Sequence, residues 1–127
     1  IPSGNSWSAV SVEGGELNIS TAATLGNQTS SARGALMRVI GGRFTVSDAT
    51  NGLVLCKVNG TNANNVAKVW FTGGVSTLEK LTLGFDATVT AGSATVTVDG
   101  GAVYLGSGGL DTLFPGFTGP RRLGLIG

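Results

Sequence analysis

The sequence predicts an all-β chain: a right-handed parallel β-helix (a β-solenoid) of about four coils, with three short strands per coil. Three observations lead there. Apolar and polar residues alternate along Ser93-Ala-Thr-Val-Thr-Val-Asp99 and again along Ala102-Val-Tyr-Leu105, the period of a half-buried strand. A Gly-Gly pair separates these runs at Gly100-Gly101, and the same pair recurs at Gly14-Gly15, Gly41-Gly42 and Gly73-Gly74, at spacings of 27, 32 and 27. Finally, 22 of 127 residues are Gly and only 12% are charged, which suits many short strands joined by tight turns. Units of this size stack on one another, each burying its face against the next.

Alignment on the Gly pairs gives columns. Before the corner stand Ala9-Val-Ser-Val-Glu13, Leu36-Met-Arg-Val-Ile40, Lys68-Val-Trp-Phe-Thr72 and Thr95-Val-Thr-Val-Asp99. Val10, Met37, Val69 and Val96 form one inward column, and Val12, Val39, Phe71 and Val98 a second. Ser11, Arg38, Trp70 and Thr97 lie between them and point outward. A slip of one residue would exchange the two faces, so the register is well specified. After the corner the inward columns are Leu17, Phe44, Ser76, Val103 and Ile19, Val46, Leu78, Leu105, with Ser76 the polar interruption. Glu16 falls beside Arg43 in the outward column.

A third strand follows at Ala23-Thr-Leu-Gly26, Leu53-Val-Leu-Cys56 and Leu81-Thr-Leu-Gly84; in the fourth repeat Leu110 or Leu113 takes the place. Cys56 occupies its neighbours' Gly position, as a small buried filler. The segments 27–33, 57–65 and 85–92 vary in length and are expected as loops on one edge. The Gly pairs are expected as corners with positive φ. An antiparallel sandwich is the competitor, because Gly-Gly also closes hairpins, but it needs no fixed period.

The chain is expected as one solenoid domain over 1–127, with repeats at about 7–33, 34–65, 66–92 and 93–127. Ile1 is expected to be an internal or processed start. The next corner falls at Gly127, and Leu123 and Leu125 continue the inward columns. Both ends are partly apolar, through Ile1, Pro2 and Trp7 and through Leu123, Leu125 and Ile126. An uncapped solenoid end is a template for another chain. The expected partner is a second copy, stacked head to tail through these six residues, and such a heterologous contact builds a fibre. A longer parent solenoid, or ends covered by their own loops, are the alternatives.

Chemistry is scarce. Net charge is +1, and eight scattered Lys and Arg make no nucleic-acid stripe. No apolar run suits membrane insertion. There is no His, so triads and the commonest metal ligand are missing, and no GxxxxGK[ST] loop cradles phosphate. Glu13 and Glu16 are the acids that lie near each other, flanking a corner; as a catalytic pair they are isolated. No catalytic residue, cofactor or metal is expected. Thr95 and Thr97 form no ice-binding ladder, since Leu36, Lys68, Arg38 and Trp70 share their columns. Asn18, Asn27 and Asn59 match the N-glycosylation pattern, which arises easily by chance in such a composition. Trp70 should lie outward beside Arg38, either stacked with it or offered as a platform for carbohydrate or protein; Tyr104 should also lie outward.

The phrases Val96-Thr-Val-Asp-Gly-Gly-Ala-Val-Tyr-Leu-Gly-Ser-Gly-Gly-Leu110 and Lys80-Leu-Thr-Leu-Gly84 resemble the autotransporter-associated β-strand repeat proteins. The resemblance runs from about Ser6 to Gly127. It implies a bacterial surface or secreted solenoid with a structural or adhesive role, and brings no catalytic residues. Three readings follow: an extracellular self-associating subunit; an adhesin or passenger-domain fragment binding glycan or a host or matrix surface through Trp70, Tyr104, Arg38 and the loops; and, last, a polysaccharide-acting enzyme.

Overall fold

Alternating β-branched and small residues leave the chain one regular conformation in which to bury an apolar face, the strand. The structure, a computed structural model, describes residues 6–26, 33–56, 66–83, 93–111 and 121–125. These form β1 (Ser6–Val12), β2 (Glu16–Ile19), β3 (Ala23–Leu25), β4 (Arg33–Val39), β5 (Arg43–Val46), β6 (Leu53–Leu55), β7 (Val66–Leu83), β8 (Ser93–Asp111) and β9 (Arg121–Leu125). Every pairing among them is parallel, which removes the antiparallel sandwich. No described helix is long and apolar enough to cross a membrane.

One strand explains the architecture. β7 pairs along one edge with β4, β5 and β6 in turn, and along the other with β8. β1, β2 and β3 pair with β4, β5 and β6, and β9 pairs with the start of β8. The sheet therefore has layers: β1–β3, then β4–β6, then β7, then β8, then β9. The layers β1–β3 and β4–β6 are each interrupted twice between strands, and the sheet curls around one core.

The register follows the columns. Val10, Met37, Val69, Val96 and Leu123 are successive partners, as are Val12, Val39, Phe71, Val98 and Leu125. Ile19, Val46, Leu78 and Leu105 line up in the second segment, and Ala23, Leu53, Leu81 and Leu110 in the third. Leu110 thus takes the fourth place; Leu113 lies outside the described residues. Met37, Val39, Phe44, Val46, Val69, Phe71 and Leu78 form the buried centre.

Two inward expectations fail, and one column slips. Val10 and Leu105 are both substantially exposed. Their alternation is correct, but they sit in outer layers, where one neighbouring layer is missing among the described residues. Asp99 drops out of its column: Phe71 pairs with Val98 and Thr72 with Gly100, so Asp99 is an extra residue in β8, and the register recovers at Val75 and Ala102. The expected loops 57–65 and 85–92 lie outside the described residues, as does 27–33 apart from Arg33, which begins β4.

The second Gly of each pair has φ near +70°: 69° at Gly15, 72° at Gly42, 69° at Gly74 and 71° at Gly101. Close approach adds a second requirement at Gly74, where a Cβ would fall 2.5 Å from the Gly42 carbonyl oxygen. That oxygen accepts a hydrogen bond from the Val75 N–H at 2.9 Å, so the glycines lie directly over one another's backbone.

Candidate functional site: the outward face around Trp70

The period of β7 buries Ala67, Val69 and Phe71 and leaves Lys68 and Trp70 outside. Trp70 is 40% exposed, although its neighbours along the strand are fully buried. β4 places Arg38 opposite Trp70 on one side, and β8 places Thr97 opposite it on the other. The Arg38 Cζ lies 5.5 Å from the indole centroid, a cation–π stack. Leu36, Lys68, Val69, Trp70, Thr95 and Thr97 line a groove of about 300 Å³ across β4, β7 and β8. The groove combines an aromatic ring, a cation and two hydroxyls. It can hold a small amphipathic group but offers no nucleophile–base pair.

Tyr104 is 60% exposed but lies beyond Gly100-Gly101 in β8, opposite Thr77. Trp70 and Tyr104 are therefore on different segments of the sheet. Of the six residues assigned to self-association, Ile1, Pro2 and Ile126 lie outside the described residues. Of Trp7, Leu123 and Leu125 the backbone alone is described: Trp7 pairs with Gly34, Leu123 with Val96 and Leu125 with Val98.

Sequence reasoning missed a polar network at the second bend. The Asp48 carboxylate accepts hydrogen bonds from the N–H groups of Thr50, at 2.7 Å, and Asn51, at 2.9 Å. These bonds, Asn51's foremost, lower its pKa. Thr82 Oγ1 donates to the Asn51 carbonyl at 2.9 Å, and Lys80 Nζ donates to the Thr50 carbonyl at 3.0 Å. Lys80 also pairs with Asp111 at 3.2 Å. Glu79 accepts from the Ser107 hydroxyl at 2.6 Å and from its N–H at 2.8 Å, and the hydroxyl bond leads in lowering its pKa. The signal was present in Asp48-Ala-Thr-Asn-Gly52, an Asx-turn composition. Its tie across layers was not. Glu16 and Arg43 are register partners, but the ion pair formed among the described residues is Lys80–Asp111.

Cys56 takes φ 58°, where Gly26 one layer below has 72°. Its thiol is buried and donates to the Ser93 carbonyl at 2.7 Å. Burial pushes its pKa up to about 11, so it is a neutral thiol and a poor nucleophile at physiological pH. Among the described residues no group of three His, Cys, Asp or Glu side chains is placed to hold a metal ion. Asn18 is exposed on β2, whereas Asn27 and Asn59 lie outside the described residues. No family model, curated protein or solved structure matches this chain.

Proposed function

We propose that the curled sheet is a right-handed parallel β-helix of about four coils, cornered at its Gly-Gly pairs, and that it is an extracellular structural subunit of a bacterial surface that associates end to end with copies of itself. One observation carries this reading. β9 pairs with β8 over Ala94–Val98, while residues 102–111 have β7 on one side and no layer on the other among the described residues. Tyr104, Leu105 and Leu110 stand exposed along that half-strand. An unpaired parallel edge beside apolar side chains is a template for another layer, and a second copy supplies one. Electron microscopy and sedimentation of the purified chain over a range of concentrations test it. Filaments are expected, and Leu105→Lys should shorten or abolish them. A protein that remains monomeric at high concentration rejects the filament reading.

A second reading, an adhesin module that binds glycan or a matrix surface, is supported by Trp70, a large indole left exposed beside a groove. A glycan array separates the two readings: the structural subunit gives a blank array, the adhesin a defined set of sugars.

A further inference from the structure

Given the glycan-binding reading, on which it rests, we infer that the Trp70 groove is a site for an uncharged sugar, a neutral hexopyranose seated with its C–H face on the indole. Arg38 approaches from the β4 side, its Cζ 5.5 Å from the ring centroid, and holds the ring in place. On the β8 side Thr97 is the register partner of Trp70, and Thr95 that of Lys68. The groove of about 300 Å³ is near the lower end of small-ligand pockets, a size for a single ring. A pyranose is amphipathic: its C–H face suits an aromatic platform, and its hydroxyl rim needs partners that both donate and accept. Thr95 and Thr97 line the groove with such hydroxyls, and Leu36 adds apolar surface.

Two observations narrow the class of ligand. The lining holds no acid, and its cation, Lys68, already interacts with another group of the chain. The groove therefore offers an indole, aliphatic surface and two hydroxyls. These suit an uncharged ligand, whereas a carboxylate would give up hydration there without gaining a partner of opposite charge. The groove also crosses strands that are already paired. Over this stretch β4 lies between β1 and β7, β7 between β4 and β8, and β8 between β7 and β9. A peptide strand binds by extending a sheet edge, and none opens into the groove. A sugar ring needs side chains alone.

The protein has two tryptophans, so Trp7→Phe leaves Trp70 as the lone indole reporter. Of the neutral oligomers of glucose, galactose and mannose, at least one should change Trp70 fluorescence saturably, with an affinity that stays within about twofold as salt is raised. Oligogalacturonate should bind about tenfold more weakly than the best of them. Thr95→Val and Thr97→Val keep the β-branched shape and remove the hydroxyl, and each should weaken binding about three- to tenfold. Trp70→Ala should abolish calorimetric binding, with the far-ultraviolet dichroism of the fold retained. If Trp70→Ala does not fold, the threonine variants still decide. No saturable signal with any neutral oligomer, equal or tighter binding of oligogalacturonate, or an unchanged affinity in either threonine variant overturns the neutral-sugar site. A glycan array distinguishes what has failed. Signals confined to anionic glycans, or signals that survive Trp70→Ala, overturn this site and leave the adhesin reading standing. A blank array for the unmodified protein ends both.

Discussion

Leu78 and Leu105 are register partners on adjacent strands, with the same side chain and the same inward expectation. Leu78 is 0% exposed and Leu105 43%. Leu81 and Leu110 repeat the contrast in the next segment, at 2% and 42%. β7 has a layer on each side, whereas this half of β8 has one among the described residues. Within β8 itself, Val96, which β9 covers, is buried like the residues of β7. Burial in this fold therefore comes from the layers above and below, and alternation decides only which way a side chain points. The largest expected effect tests that directly. Leu78→Ala should cost about 2–5 kcal/mol in denaturant unfolding, and Leu105→Ala under about 1 kcal/mol. Equal losses at the two positions would mean that a further layer covers Leu105 in solution. If filaments form, the cost of Leu105→Ala should rise with protein concentration.

The Gly column offers a sharper version of the same contrast. Gly15 and Gly74 have the same φ of 69°, so strain from a side chain is equal at both. At Gly15 a Cβ would meet nothing within 4 Å, whereas at Gly74 it would run into Gly42 and Gly41 backbone. Gly15→Ala should cost about 1–2 kcal/mol, the left-handed strain alone. Gly74→Ala should cost distinctly more, because no side-chain rearrangement clears a backbone carbonyl. Matched melting shifts for the two variants would show that stacking adds nothing to the glycine requirement.

Ser76 tests the covered layer from the opposite direction. It sits between Phe44 and Val103 in an inward column, fully buried, and its hydroxyl has no hydrogen-bond partner among the described residues. An orphan hydroxyl in a tight core is a net cost. Ser76→Ala removes it at nearly constant volume and should raise stability by about 1 kcal/mol, read as a higher denaturant midpoint. A loss of stability would reveal a partner for the hydroxyl, such as an ordered water.

The columns were legible in the sequence because two independent signals, period-2 alternation and a recurrent Gly pair, fix the same register. Phe71, Val96 and the Leu53–Leu81 pair are placed by that pattern alone. Exposure was not legible, since Leu78 and Leu105 look alike locally and differ in how many layers flank them among the described residues. The Asp99 slip was hidden because Thr72-Gly-Gly and Asp99-Gly-Gly align without a gap. Trp70 beside Arg38 followed from the columns, but the groove did not, because it depends on Leu36, Thr95 and Thr97 from both neighbouring strands. The network at the second bend joins Glu79 to Ser107, 28 residues apart, through side chains that no repeat column contains.

Glu79 gives the smallest effect and the most local one. It reaches from the doubly flanked β7 to the open half of β8, accepting from both the hydroxyl and the N–H of Ser107. Those bonds favour the carboxylate and lower its folded-state pKa below the ordinary value of 4.5. A depressed folded pKa means that the stabilising contribution is present above the unfolded value and is lost as pH falls through the folded one. The bonds lie at the surface, so the loss should be local rather than global. Acidification should free the open half of β8 while β7 and the β9-covered half hold. Hydrogen exchange at the Ser107 amide, corrected for the intrinsic pH dependence of exchange, should show protection that falls below the carboxylate range, while the amides of Phe71 and Leu78 stay protected. Glu79→Gln keeps an acceptor oxygen but cannot titrate, so Ser107 protection in that variant should be lower at neutral pH and flat in acid. Protection at Ser107 that is unchanged by acid in the unmodified protein would mean that the open edge is held by backbone pairing to β7 alone.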